Sequence, residues 1–236
     1  MDVQQGVAGH PIPYSISHDD AMILPLLVGF CIVVALVGYY RKFIQRQFKQ
    51  FFFDSPVAYR SGMTKEERFM VLTLMLGTCM LLSYVTSFYV ADHHTAGLTG
   101  KHLTLVMTSL WGVFFGFFFL KWGLYQVVNL LFFGGKKTLQ WSDSFQLLVA
   151  FEGLLLMPIM VLQIFGGMQW EFVLICTIIV VFLNKMLTFY KSYRIFFKQN
   201  GRYLENILYF CALEITPLLA LGGLWMIMVN KLKVIF

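Results

Sequence analysis

Residues Ala21–Tyr40 read AMILPLLVGFCIVVALVGYY, 20 positions without a charge, and residues 41–49 follow as RKFIQRQFK. A helix rises about 1.5 Å per residue, so such a run reaches roughly 30 Å, the thickness of a bilayer's hydrocarbon core. The abrupt change to Arg41, Lys42, Arg46 and Lys49 is how a chain meets cytoplasmic headgroups. One such run is a span. The fold depends on how often it recurs.

Five further runs follow. Met70–Val90 is charge-free, and so is Leu103–Leu120, whose apolar pattern continues beyond Lys121 to Phe133. Phe145–Phe165 contains Glu152, Phe172–Leu187 contains Lys185, and Ile207–Asn230 contains Glu214. Runs this long and uniform do not fit the alternating strands of a barrel, and lipid otherwise admits only helices. The expected fold is all-α: a polytopic bundle of six transmembrane helices forming one domain over 21–236, behind an N-terminal tail at 1–20. Composition agrees. Of 236 residues, 58% are hydrophobic and 13% charged, against about 25% charged in a soluble domain. This excludes a soluble enzyme, a disordered chain and a nucleic-acid-binding module, despite the net charge of +6.

The charge that remains encodes orientation. The first 20 residues hold no Lys or Arg but do hold Asp2, Asp19 and Asp20, so no cleavable signal peptide is expected and the N-terminus is expected outside. Six spans then put the C-terminus outside and segments 41–69, 121–144 and 185–206 inside. Those three segments carry 15 of the 18 Lys and Arg, the bias that fixes topology. The basic balance thus predicts contact with the bilayer and its anionic lipid at the cytoplasmic face, not with nucleic acid. Each inside segment opens with a helical extension in which phenylalanines alternate with cations, as in Phe43, Phe48, Phe51 and Phe52. Such a segment lies along headgroups or serves as a ridge for a partner. Cys31, Cys79, Cys176 and Cys211 all fall in spans without paired spacing and read as packing residues.

The extensions reveal an internal likeness. Lys121 precedes Phe132-Phe133 as Lys185 precedes Phe196-Phe197, and Asp143 precedes Glu152 as Glu205 precedes Glu214. Ala150 and Ala212 stand two residues before each acid. Spans three and four therefore resemble spans five and six, with spans one and two as a degenerate third copy or none.

Ionisable residues inside spans are the functional candidates, because each costs roughly 3 kcal/mol to insert. Glu152 and Glu214 are expected at matching depth in the cytoplasmic half, with Lys185 in reach of either. Pro158 and Pro217 follow the two acids, and a proline frees a carbonyl about one turn back, which would add polarity to each site. Three readings stand: a polar lock that fixes helix register, a site that handles a proton or cation, or acids that face a partner subunit. On the outer side, His18, Asp19 and Asp20 and the run Asp92, His93 and His94 flank span ends. A metal or pH-sensing patch there is the weaker reading beside ordinary solvated histidines, because no spacing matches a zinc signature. Gly112 and Gly116 form a GxxxG in span three, expected to mark close helix packing. Trp111, Trp122, Trp141, Trp170 and Trp225 are expected as an interfacial belt. No phosphate loop, nucleophile elbow or HExxH occurs. The chain is therefore expected to be non-enzymatic and to use no cofactor.

The last span carries a recognisable string, LYFCALEITP at Leu208–Pro217. It resembles the closing signature of an uncharacterised integral inner-membrane family of Bacteroidota, a domain of unknown function. That signature reads tyrosine, apolar, cysteine, small, leucine, glutamate, apolar, apolar, proline. Glu214 and Pro217 match it, and the likeness extends back through Phe151–Pro158 and Lys121–Phe133, over at least the second half of the chain. The resemblance implies the inner membrane of a Gram-negative bacterium. Together with the residues it favours a scaffold or accessory subunit of an envelope complex, of the secretion, assembly or gliding kind, with a membrane-protein partner or a second copy of itself. The alternative is a small proton- or cation-coupled transporter or channel using Glu214 and Glu152.

Overall fold

The computed structural model describes residues 20–52, 63–93, 100–197 and 203–235. They are helical almost throughout: α1 (Asp20–Tyr39), α2 (Arg41–Phe52), α3 (Lys65–His93), α4 (Gly100–Phe133), α5 (Gly135–Gly166) and α6 (Trp170–Ser192), then α7 (Tyr203–Phe210) and α8 (Thr216–Ile235). One π-helical turn, Tyr193–Phe197, follows α6, and another, Cys211–Ile215, joins α7 to α8. Five helical stretches are long and apolar enough to cross a membrane: Lys65–Val90, Leu103–Phe133, Lys137–Gly166, Trp170–Phe196 and Ile207–Ile227. A sixth is reached if Ile23–Tyr39 and Arg41–Lys49, bent by 72° at their junction, are one broken span. The architecture is that of an all-α, multi-pass membrane protein.

Local chemistry sets the boundaries. At the start of α3 the Thr64 backbone N–H donates to Glu67 Oε2 at 2.9 Å, and the Glu67 N–H donates to Thr64 Oγ1 at 3.3 Å. This reciprocal cap satisfies two N–H groups that a helix start leaves bare. Helices α4 and α5, 34 and 32 residues long, are separated by Gly134 alone, with φ at +79°. A left-handed φ suits glycine because it has no Cβ to clash, and it reverses the chain within one residue.

Helices α3 and α5 form the centre. Arg68 meets Asp143 at 3.5 Å and the Thr78 hydroxyl donates to the Val149 carbonyl at 2.9 Å, offsets of 75 and 71 residues that fix α3 and α5 as parallel neighbours. Their approach is tight at Gly153, where an added Cβ would lie 2.1 Å from Thr78 Oγ1. In the apolar window of α5, 61% is buried in the bundle, against 11% in that of the last span. Most of the last span is therefore left to lipid or a neighbour.

One expectation is corrected, at Trp141, and the GxxxG of α4 meets no neighbour among the described residues. Close packing occurs at Gly153, whereas Gly112 and Gly116 lie exposed on α4 with nothing within 4 Å of an added Cβ. Trp141 is no belt residue: it is 1% exposed and packs in an aromatic core with Tyr125, Phe196 and Tyr209. Starting at Gly135, α5 carries its first two turns against the end of α4, so Trp141 faces protein on all sides.

The cationic segments gather at one end of the bundle. Arg46 of α2 pairs with Glu67 of α3 at 2.6 Å, Arg68 with Asp143, and Phe133 at the end of α4 stacks near Phe196 at 4.3 Å. Thus α2, the start of α3, the α4–α5 turn and the end of α6 share this end.

Candidate functional site

Helix α4 presents Lys121, Tyr125 and Asn129 at four-residue spacing, hence on one face. Helix α6 presents Asn184 and Lys185, and α5 presents Glu152. Glu214 stands in the π-helical turn before Pro217. Proline has no N–H to give the Leu213 carbonyl, and its ring crowds that carbonyl. The helix widens there: the Thr216 backbone N–H bonds the Cys211 carbonyl, five residues back, and the Thr216 hydroxyl donates to the same oxygen at 3.1 Å. The wide turn aims Glu214 inward, 1% exposed.

Three donors converge on that carboxylate. Lys121 Nζ and Lys185 Nζ both reach Oε2, the latter at 3.0 Å, and the Tyr125 hydroxyl donates to Oε1. Lys121 is fully buried, with its ammonium 5.6–6.0 Å from the ring centres of Phe145, Phe117 and Tyr125, close enough for cation–π attraction. Lys185 keeps 19% of its side chain exposed. Glu152, 3% exposed, accepts from Asn184 Nδ2, and Lys185 and Lys121 lie within electrostatic range of it. Behind Tyr125, its ring packs on Trp141 at 5.2 Å and Tyr209 at 5.9 Å, and the Tyr209 hydroxyl donates to Asn129 Oδ1 at 2.7 Å.

Two ammoniums and two carboxylates therefore share one buried layer, and their formal charges cancel. Isolated, each would be expensive in a low-dielectric interior; paired and hydrogen-bonded, the cost is largely offset. Of the residues singled out in the sequence, Glu214 and Lys185 are in contact, Glu152 is in the same layer but held by Asn184, and Pro217 is buried beside Glu214. Pro158 is exposed on an unbroken α5 and takes no part. Lys121, Tyr125 and Asn184 were not singled out. Only the likeness between spans, which matches Lys121 with Lys185, pointed to one of them.

His18 and His94 lie outside the described residues, and so does the side chain of His93. Among the described residues no three His, Cys, Asp or Glu side chains come together in a way that could hold a metal ion. A cavity between α1, α3 and α5 is lined by Leu26, Gly29, Val33, Leu74, Gly77 and their neighbours and does not touch the charged layer.

None of the curated proteins and none of the solved structures matches the chain. A family model described as a domain of unknown function, DUF4271, matches residues 22–224, and the chain belongs to that family.

Proposed function

We propose that this protein is a non-enzymatic scaffold or accessory subunit of an envelope complex in the inner membrane of a Gram-negative bacterium, with both termini outside and the cationic end of the bundle in the cytoplasm. The observation that carries the reading is the buried layer of Lys121, Lys185, Glu214 and Glu152. Lys121 and Lys185 are both committed to Glu214, and Glu152 is held by Asn184. Buried charges held in this way lock α4, α5, α6 and the last span in register. The nearly uncovered last span and the exposed Gly112–Gly116 face of α4 supply surface for a membrane-protein partner or a second copy.

One observation favours the alternative of proton or cation coupling: Glu214 stands in a π-helical turn, and such turns recur at functional sites. One experiment separates the two. In proteoliposomes carrying a pH gradient, the scaffold reading expects no protein-dependent flux and a lowered thermal stability for Glu214→Gln. Flux that is lost in a still-folded Glu214→Gln would overturn it. Periplasmic activity of a reporter fused at the C-terminus tests the orientation.

A further inference from the structure

The face of α2 turned away from the bundle is cationic. Arg41, Lys42 and Lys49 are exposed, and Lys42, Gln45 and Lys49, at three- and four-residue spacing, form one line along the helix with Arg41 beside it. No acid occurs in α2. Among the described residues the acids nearby belong to α3 and α5. Glu67 is taken by Arg46 and Asp143 by Arg68, and Glu66 is exposed in the first turn of α3.

Phe43 pins the opposite face to protein, and Arg46 and Phe48 brace the two flanks of the cationic line. Phe43, 5% exposed, sits among Met70, Val71, Leu74, Leu147 and Ala150. Phe48 lies 4.7 Å from Phe151, ring centre to ring centre, and Arg46 holds Glu67 at 2.6 Å. Rolling α2 about its axis would break all three contacts, so the fold sets the direction of the cationic line. The 72° bend lays α2 across the end of α1. With α1 crossing the bilayer, α2 runs close to the membrane plane at the level where the apolar runs stop. Tyr39, 80% exposed at the bend, is a residue type that settles at that level. Phe48, 45% exposed, offers half its ring to an acyl chain.

We infer that α2 is a preformed seat for an anionic phospholipid, with Arg41, Lys42 and Lys49 taking the headgroup's negative charge and the acyl chains descending past Phe48. A zwitterionic headgroup brings no net charge to this line, whereas an anionic one does, and cations at the surface raise affinity for it additively. A phospholipid, rather than a free anion, is favoured because the cations and the half-exposed ring lie on one helix, matched to a ligand with a charged head and an apolar tail. The inference rests on the reading of α1 as a span and not on the scaffold role.

Native mass spectrometry of the full chain in detergent tests it, with phosphatidylglycerol or phosphatidylcholine of identical acyl chains as titrant. The first phosphatidylglycerol should bind about a hundredfold more tightly than the first phosphatidylcholine, from about 1 kcal/mol for each of the three cations. Arg41→Gln/Lys42→Gln/Lys49→Gln should erase that preference, and Lys137→Gln/Lys191→Gln should keep it. If the triple variant does not fold by circular dichroism, Lys42→Gln and Lys49→Gln singly should each lower it roughly fivefold. Equal affinities in the parent protein, a preference that survives the triple variant, or one lost equally in the control would overturn the seat. Displacement of phosphatidylglycerol by millimolar inorganic phosphate would also overturn it, in favour of a free-anion site. The flux assay decides the scaffold reading independently, so either can fail while the other stands.

Discussion

Lys121 Nζ and Glu214 Oε2, 93 residues apart in sequence, are joined inside the bundle, each side chain 1% exposed. The bond ties the middle of α4 to the π-helical turn before α8. Lys185 shares the same oxygen from α6, so one carboxylate gathers three helices. Tyr209, one turn earlier in the last span, packs on Tyr125 and Trp141 and bonds Asn129, so much of that span's hold on the bundle gathers around this carboxylate.

The two lysines differ in what they do when Glu214 is lost. Lys185 retains 19% exposure and its stem can carry the ammonium toward water. Lys121 has no such route. Lys121→Met should therefore destabilise more than Lys185→Met, on the order of 3 kcal/mol against about 1 kcal/mol. Glu214→Gln, which strands Lys121, should resemble Lys121→Met. Lys121→Met/Glu214→Gln should be less damaging than the sum of its parts, because neither buried charge is left alone. Unfolding in SDS, followed by helical circular dichroism, checks all four. Additive losses would show that the pair carries no coupling.

Glu152 depends on Asn184 for its direct hydrogen bond in the described contacts. Asn184→Leu should cost about 1.5–3 kcal/mol, the range for a hydrogen bond to a charged group. Asn184→Leu/Glu152→Leu should recover much of that, because the unsatisfied acceptor is removed together with its donor. If instead the double variant is the less stable of the two, Glu152 is held chiefly by the field of Lys185 and Lys121 and not by the amide.

Glu214 and Lys185 were visible in the sequence because a charge in an apolar run has few innocent explanations. Lys121 was harder to place. It closes the run Leu103–Leu120, where a lysine reads as a snorkelling end, and only α4's continuation to Phe133 makes its position interior. Tyr125 and Asn184 are neutral residues in apolar surroundings, and nothing local separates a ligand of a carboxylate from a packing residue. The long apolar helices themselves were legible, five of them unbroken and the first bent by 72° at its junction with α2, because a run of that length and composition shows whatever its neighbours. Which helices meet was not: GxxxG announces a smooth face at Gly112 and Gly116, yet the tight contact went to Gly153, whose partner is a threonine on another helix.

Pro217 is unusual in being useful where proline normally harms. An alanine there would restore the N–H to the Leu213 carbonyl and favour a regular α-turn over the π-turn. The regular turn would shift Glu214 around the helix relative to Pro217 and away from the two ammoniums. Pro217→Ala should thus lower the thermal unfolding temperature despite alanine's better helix propensity. It should also cancel most of the additional loss from Lys121→Met, since the pair would already be parted. A higher unfolding temperature would mean that the π-turn is not needed to place Glu214.

The α3–α5 crossing offers the cleanest geometric test, because it involves no charge. An added Cβ at Gly153 would lie 2.1 Å from Thr78 Oγ1 and 3.2 Å from Thr78 Cα. The hydroxyl can rotate aside, but it would then give up its bond to the Val149 carbonyl, and the backbone contact cannot be relieved by rotation. Gly153→Ala should cost about 1–3 kcal/mol through overpacking. Gly153→Ala/Thr78→Ala should recover part of this by clearing the hydroxyl, whereas Gly112→Ala and Gly116→Ala should leave the monomer's stability unchanged within about 0.5 kcal/mol. Unfolding in SDS measures the cost, and size-exclusion chromatography of the two α4 variants in mild detergent shows whether that exposed face holds a second copy. A loss of stability at Gly116 accompanied by dissociation would place the GxxxG in an interface between chains, and a loss without dissociation would contradict its exposed position on α4.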